Sequence, residues 1–298
     1  MDTLIQLVVS GLALGAIYAL VALGFVVIYR ASKVFNFAQG DFLTVGAFLM
    51  SSLASAGVPW GIALIGSMAG TGLLSAAVER LMLRRMIGRP VFVTIILTIF
   101  VGILLRTVIM MIWGPTRRGM PTPWDPMAAA QVGGASILVN SLVAIGAGAV
   151  AFGLFFYLVL RTRFGVAMRA TSQDQEVALA LGIPVGRIFG ATWFLAGAYA
   201  ALGGVFLGMF PRDVDPNLGF IALRAFPAVI VGGLESPLGT VIAGVLLGLA
   251  EILAQGYVNP HLGEFGHNFH AVFPYLIMIL FLVIRPYGLF GRKDVKRA

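Results

Sequence analysis

Nine apolar runs, most of them near the length of a membrane span, leave this chain few ways to fold. They lie at about 4–29, 41–57, 59–82, 91–113, 137–160, 188–210, 218–234, 237–256 and 272–284. Crossing a bilayer as a helix takes about 20 apolar residues. Several runs reach that length, and no polar stretch between them is long enough to build a soluble core. Composition agrees: 59% of residues are hydrophobic and 11% charged, where a soluble domain carries about a quarter charged. The expected fold is therefore all-α, a single polytopic transmembrane bundle over residues 1–298 with about eight spanning helices. The run 218–234 is short and holds Arg224 and Pro227, so an irregular crossing or a re-entrant segment is expected there.

The opening "MDTLIQLVVSGLALG" has no positive stretch and no convincing cleavage site, so the first run is read as a retained helix and not a signal peptide. Cysteine is absent, which excludes disulfides, thiolate catalysis and cysteine-bound metal centres. If each run spans once, fifteen of the 20 Lys and Arg fall on one side: Arg30, Lys33, Arg80, Arg84, Arg85, Arg89, Arg161, Arg163, Arg169, Arg187 and five in the tail 285–298. Three, Arg117, Arg118 and Arg212, fall on the other, and Arg106 and Arg224 lie inside runs. The positive-inside rule then puts the C-terminus in the cytoplasm and the N-terminus outside. Topology accounts for the net charge of +8, and nucleic acid drops out as a partner.

One polar interruption stands out, "RATSQDQEVALALGIPVGR", Arg169–Arg187. Ser172 is a candidate N-cap with Gln175 three residues on, a capping-box pattern. Asp174 and Glu176 suit the positive end of a helix dipole. Gly182 supplies a stop, with Pro184 beyond it. Val177 and Leu181 sit one turn apart on a single face. A helix of about two or three turns is too short to be stable alone in water. It is either a connector lying on its own bundle or a docking helix for a cytoplasmic partner.

Three stretches then carry a resemblance. "RATSQDQEVALALGIPVGRIFGATWFLAGAYAALGGVFLG" is similar to the cytoplasmic loop and following helix of branched-chain amino-acid ABC transporter permeases. "VFNFAQGDFLTVGAF" after the first run and "RAFPAVIVGGLESPLGTVIAGVLLGLAE" near the C-terminal end resemble the same family, in the same order. The resemblance covers about Gly11 to Pro286, and relatives of this type also serve urea, short amides and aromatic acids. It implies a permease subunit in a bacterial inner membrane. Its partners would be a second, related permease, two ATP-binding subunits and a periplasmic or extracellular binding protein. Ser172, Asp174, Gln175, Glu176, Val177, Leu181 and Gly182 then map onto the family's coupling helix. No G-x-x-x-x-G-K-[ST] loop occurs, so ATP and Mg are expected on the partner subunits, with no cofactor or metal on this chain.

"NFAQGD" is either a cytoplasmic turn or a broken helix lining the solute path, since irregular backbone at depth is tolerated only beside protein or a cavity. With the resemblance, Asn36, Phe37, Gln39, Gly40 and Asp41 become pathway candidates. Family members often carry His and Glu where this chain has Gln39 and Asp41. Arg106 and Arg224 each cost roughly 2.5–3.5 kcal/mol at a helix centre. Arg106 is expected to snorkel outward, and Arg224 to line the path or pair with a carboxylate. Ser236 and Pro237 read as a clean helix start, and Glu235 is given no role. His261, Glu264, His267 and His270 are spaced like ligands, but the glycines among them favour a plain external loop. Glycine pairs at small-xxx-small spacing, such as Gly11 with Gly15 and Gly244 with Gly248, predict close helix packing.

The rival class is a stand-alone channel or an ion-coupled carrier. That needs an intramembrane acid or lysine relay, and only the two arginines are read as lying well inside apolar runs. No catalytic constellation suggests an intramembrane enzyme.

Overall fold

The computed structural model of the chain describes residues 2–86, 89–132, 134–209, 211–263, 268–285 and 288–291. It is a helical bundle, as expected. Among the described residues, six helices are long and apolar enough to cross a membrane. α1 is Asp2–Ser32, α3 Trp60–Leu81, α4 Val91–Trp113, α5 Val139–Arg161, α8 Val185–Leu207 and α11 Pro237–Leu253, the last extended by a π turn at Ala254–Val258. Shorter helices complete it. α2 is Gln39–Ser55, and α12, Phe269–Ile284, spans only 16 residues. On the chain between α5 and α8 lie α6, Arg163–Gln173, and α7, Gln175–Ala180.

The run 218–234 does cross irregularly. α9, Leu218–Ala222, passes through a 3-10 turn at Leu223–Ala225 into α10, Phe226–Gly232. Its leading end is tied to the loop after α4 by paired backbone bonds between Arg118 and Val214. Its trailing end reaches Glu235, which pairs with Lys33 just beyond α1. These two ties lie at opposite ends of the bundle.

α1 and α8 form the core and are buried along most of their length, whereas α3, α4 and α5 expose broad apolar faces. The glycine pairs explain how α1 and α11 meet. A Cβ on Gly248 would lie 2.2 Å from the backbone nitrogen of Gly15, and one on Gly244 would lie 2.8 Å from the Cα of Ala19. In lipid, where apolar surface gives no drive toward association, such backbone-to-backbone contact holds helices together by packing alone.

The loop after α4, "GPTRRGMPTPWDPMAAAQVGGAS", is rich in Pro and Gly and by its sequence reads as an irregular connection. Its second half instead forms an antiparallel hairpin, β1 Ala129–Val132 with β2 Ala135–Leu138, turning at positive-φ Gly134. The hairpin packs on the start of α1. Short strands bounded by Gly and Pro carry too little pattern to be read from four residues each. Of the suggested ligand cluster, Glu264 and His267 lie outside the described residues. His270 on α12 exchanges a 2.9 Å hydrogen bond with Asn259, and no metal-competent group of three occurs among the described residues. Of the basic tail, Arg292, Lys293, Lys296 and Arg297 lie outside them too.

Most of the described basic residues gather at one end. Arg30 lies in the last turn of α1 and Lys33 just beyond it, Arg84 pairs with Glu79 at 2.7 Å and donates to the Gly186 carbonyl at 2.5 Å, and Arg169 donates to the Val159 carbonyl. Arg117 and Arg118 lie at the opposite end, where Arg117 meets Asp215 at 3.0 Å.

Candidate functional site

Two features of the bundle are built for something beyond packing. The first is a polar break in mid-bundle. α1 stops at Ser32, Lys33 takes a positive φ of 56°, and residues 34–36, outside any regular element, lead back into the bundle. α2 therefore starts at depth. Its first residue, Gln39, donates from Nε2 to the Ala196 carbonyl at 3.1 Å, at the middle of α8. It also presses on Gly24 of α1, where a Cβ would lie 1.9 Å from Nε2. Gly24 is eight residues before the end of α1, roughly 12 Å in from it.

The side chains of Asn36, Gln39 and Asp41 in this re-entrant segment all have partners. Asn36 accepts from the Ala38 amide through Oδ1 at 3.1 Å and donates to Gln39 Oε1 at 3.3 Å. The Phe37 amide donates to Thr98 Oγ1 on α4 at 3.2 Å. Asn36 and Gln39 are fully buried, and Asp41 nearly so. Asp41 Oδ1 accepts from Arg106 Nη2 at 2.8 Å and Nε at 3.1 Å. Gly102, one turn before Arg106, admits the carboxylate: a Cβ there would sit 2.4 Å from Asp41 Oδ2. The guanidinium stacks 4.0 Å over the ring of Phe220, a cation–π contact that favours burial of the charge.

Arg106 thus does not snorkel outward. A buried carboxylate one helix away neutralises it, which snorkelling cannot do at that depth. At the same break, Gly40 meets Gly219 of α9, where a Cβ on Gly40 would lie 2.5 Å from the Gly219 carbonyl oxygen. Both interrupted helices therefore touch through their backbones. Phe35 and Phe37 close one side against Phe226 at the start of α10, with centroids 5.9 and 6.4 Å away.

The 3-10 break between α9 and α10 has its own ion pair. Arg224 Nη1 donates to Glu251 Oε1 at 3.3 Å, and Tyr18 donates to Glu251 Oε2 at 2.7 Å. Arg224 was expected on the path or on a carboxylate, and the carboxylate is Glu251. Glu251 corrects the count of charges inside the apolar runs: it lies within 237–256, only 1% exposed. The π turn begins three residues later, a distortion common at functional sites.

The second feature is α7. Asp174, not Ser172, caps it. Asp174 Oδ1 accepts from the Glu176 and Val177 amides at 2.9 and 3.0 Å. Ser172 donates its hydroxyl back to the Arg169 carbonyl at 2.8 Å and stays inside α6. Gln175 is therefore the first residue of α7 and no capping box forms. Asp174 accepts from two amides that Ser172 would have left open, and its extended φ of −155° breaks the helix. The regular helix covers six residues, shorter than the two or three turns expected.

Its end is a Schellman stop. Gly182, at φ 78°, donates to the Leu179 carbonyl at 2.9 Å, and Ile183 to the Ala178 carbonyl at 3.0 Å. Ala178 is buried against Ala31, Val185 and Phe189, with Ile183 packed on the same cluster. The opposite face is bare: Val177 is 54% exposed, Leu179 59% and Leu181 74%.

A family model described as "Branched-chain amino acid transport system / permease component" matches residues 7–282. The chain belongs to this family. The permease is 29% identical to the high-affinity branched-chain amino acid transport system permease protein BraD of Pseudomonas aeruginosa, over 98% of this chain and 97% of that one. It is 27% identical to the permease protein LivH of Escherichia coli, over 98% and 97%. A probable LivH of Methanocaldococcus jannaschii is 30% identical over 91% and 88%. The solved structure "PsaBC from Streptococcus pneumoniae in complex with Fab" shares the fold, with a TM-score of 0.50 at 15% identity, covering 96% of this chain and 92% of that one. The chain is a transport subunit and not an enzyme.

In the permease, Asn36, Phe37, Gln39, Gly40 and Asp41 come together at one break, and Arg224 sits at the neighbouring one. Ser172 through Gly182 form the separate α6–α7 elbow at the basic end. Reading the sequence missed Arg106, Tyr18 and Glu251 as partners. An acid and a base inside separate apolar runs were the available signal, because each is too costly to bury alone.

Proposed function

We propose that the permease forms one half of the membrane pore of an ATP-driven ABC importer, moving branched-chain or related amino acids inward across the cytoplasmic membrane. Its basic end faces the cytoplasm, with the N-terminus outside. Two ATP-binding subunits dock there, a second permease completes the pore, and an external binding protein delivers the solute. The observation that carries this reading is the two-faced α7. One side is clamped to the bundle by Ala178 and Ile183, while Val177, Leu179 and Leu181 offer an apolar surface with nothing on it. A capped, rigid helix end of this kind is a handle.

The handle connects to the break. Ala178 rests on Ala31, two residues before Lys33, where the re-entrant segment begins. Gln175, Lys33 and Val34 border one small cavity of about 160 Å³. A push on α7 therefore falls on the segment that carries Asn36, Gln39 and Asp41. Closure of the ATP-binding subunits biases the bundle only to the extent that they bind its two states differently; about 5.5 kcal/mol converts a 1:99 mixture to 99:1. The backbone contact of Gly40 with Gly219 gives the two broken helices a pivot without side chains in the way.

A channel or ion-coupled carrier would draw on Glu251 as its relay. Glu251 is held by two donors, Tyr18 and Arg224, which favours a fixed structural charge. The test is uptake by vesicles holding the permease, its paired permease, the two ATP-binding subunits and the binding protein. Uptake of leucine, isoleucine or valine is expected to require ATP and to be abolished by Leu181→Glu with permease abundance unchanged. Uptake that ignores ATP and collapses with the proton gradient would instead establish the carrier.

A further inference from the structure

Glu79, in the last turn of α3, is a buried acid that neither break uses, 2% exposed. Both its oxygens accept from one guanidinium: Arg84 Nε donates to Oε1 at 3.0 Å and Nη2 to Oε2 at 2.7 Å. Arg84 lies just beyond α3, in the 3-10 turn Leu83–Met86. Its Nη2 also donates to the Gly186 carbonyl at 2.5 Å, in the first turn of α8. The pair lies across a smooth strip of that helix. A Cβ on Gly186 would come within 3.2 Å of Arg84 Nη1, and one on Gly190, a turn further on, within 3.6 Å of Glu79 Oε2.

Val185 and Phe189, on the neighbouring face of the same turns, pack with Ala178 of α7 and with Ala31. The start of α8 is thus gripped on two faces, by α7 on one and by Arg84 on the other. Deeper in the bundle, α3 and α8 meet backbone to backbone: a Cβ on Gly197 would lie 2.8 Å from the Thr71 carbonyl oxygen. Stability alone does not call for charge at the grip, because apolar residues of similar volume often replace a buried pair at no loss. What charge supplies is direction. The amino end of a helix is its positive end and repels a cation, so Arg84 stays on the Gly186 carbonyl only with Glu79 holding it. The link also lies where one is needed. α7 joins α8 through Gly182, Ile183 and Pro184, and a load on α7 that merely bent this joint would not reach the bundle.

We propose that Glu79 is a positioning residue for coupling: through Arg84 it locks the start of α8 to α3, so that α7, α8 and α3 move as one lever. The cavity of about 160 Å³ bordered by Gln175, Lys33 and Val34 is lined on its other side by Glu79 and Arg84. The lever therefore faces the start of the re-entrant segment across open space and can close on it. This inference rests on the docking proposed for α7. It adds a second path from that helix, into α3, beside the one through Ala31.

The test uses the assembled transporter in vesicles with its binding protein, and reads leucine uptake, ATP hydrolysis and retention of the ATP-binding subunits. Glu79→Leu with Arg84→Leu removes both charges and strands neither. It is expected to assemble and to hydrolyse ATP, while leucine moved per ATP falls about tenfold. Glu79→Gln, which keeps the volume and loses the charge, is expected to uncouple as well. Glu79→Asp, which keeps the charge, is expected to recover most of the coupling. Should the double variant fail to assemble, the order of these two decides the matter, because a mere packing role ranks Gln above Asp. That reversed order overturns the proposal, as does undiminished leucine per ATP in the double variant. Loss of the ATP-binding subunits from an otherwise folded double variant overturns it too, since the pair would then shape the docking face. Leu181→Glu, run alongside, separates the two claims. If it abolishes uptake while the Glu79 variants transport normally, only the lever fails; if it transports normally, the docking fails and the lever with it.

Discussion

Asp41 and Arg106 depend on each other. Neither charge tolerates the interior alone, and each lies where the other neutralises it, with Phe220 covering the guanidinium. Removing one member of such a pair strands the other, at a cost of about 3 kcal/mol, the low end of the buried range because Arg106 is a quarter exposed. Asp41→Asn and Arg106→Leu are each expected to lower the melting temperature of the detergent-solubilised permease by several degrees. The double variant is expected to regain most of that loss. If the two losses simply add, the residues do not act as a pair. The sequence made Arg106 conspicuous but did not say what it met, because its partner lies 65 positions away on another helix. Glu251 was harder still: it is one acid near the end of a long apolar run, and its partners Arg224 and Tyr18 lie on other helices. The re-entrant segment was legible for the opposite reason. Asn36, Gln39 and Asp41 are too polar for so short a link between two apolar runs, and their spacing around glycine marks a helix start.

α7 shows how an element can be foreseen and still begin at the wrong residue. The stop at Gly182 was legible because a positive φ has one cheap occupant, and Ile183 and Pro184 follow as a Schellman end requires. The start was ambiguous. Ser172 and Asp174 both have N-cap chemistry, and local sequence cannot say that α6 runs on through Gln173 and absorbs the serine. The two readings predict different losses. Asp174→Ala removes two amide acceptors and costs α7 about 1 kcal/mol, so uptake is expected to fall several-fold at unchanged expression. Ser172→Ala is expected to be nearly silent. Equal damage from both, measured as initial uptake rate per folded permease, would restore the serine cap. The broken α9–α10 crossing was likewise anticipated from Arg224 and Pro227. The hairpin at Ala129–Leu138 was not, because its strands owe their order to packing on α1 rather than to a hydrophobic pattern of their own.

At the scale of the molecule, the chain has a closed side and an open one. Glycine contacts lock α1 to α11 and bring α2 against α9, while α3, α4 and α5 keep wide exposed apolar faces. Most of the described basic residues mark one end, and that end also bears the exposed face of α7. Which end faces the cytoplasm, and what grips α7 there, decide whether the machine works as proposed. The chain has no cysteine, so a single introduced thiol reports one place without background. The most direct measurement is Leu181→Cys in the assembled transporter within intact cells, probed with a membrane-impermeant maleimide and a short bifunctional cross-linker. No labelling is expected until the cells are permeabilised, with cross-linking to an ATP-binding subunit in a yield that changes when ATP is trapped. Labelling of intact cells from outside, or a thiol that never reaches an ATP-binding subunit, would contradict it.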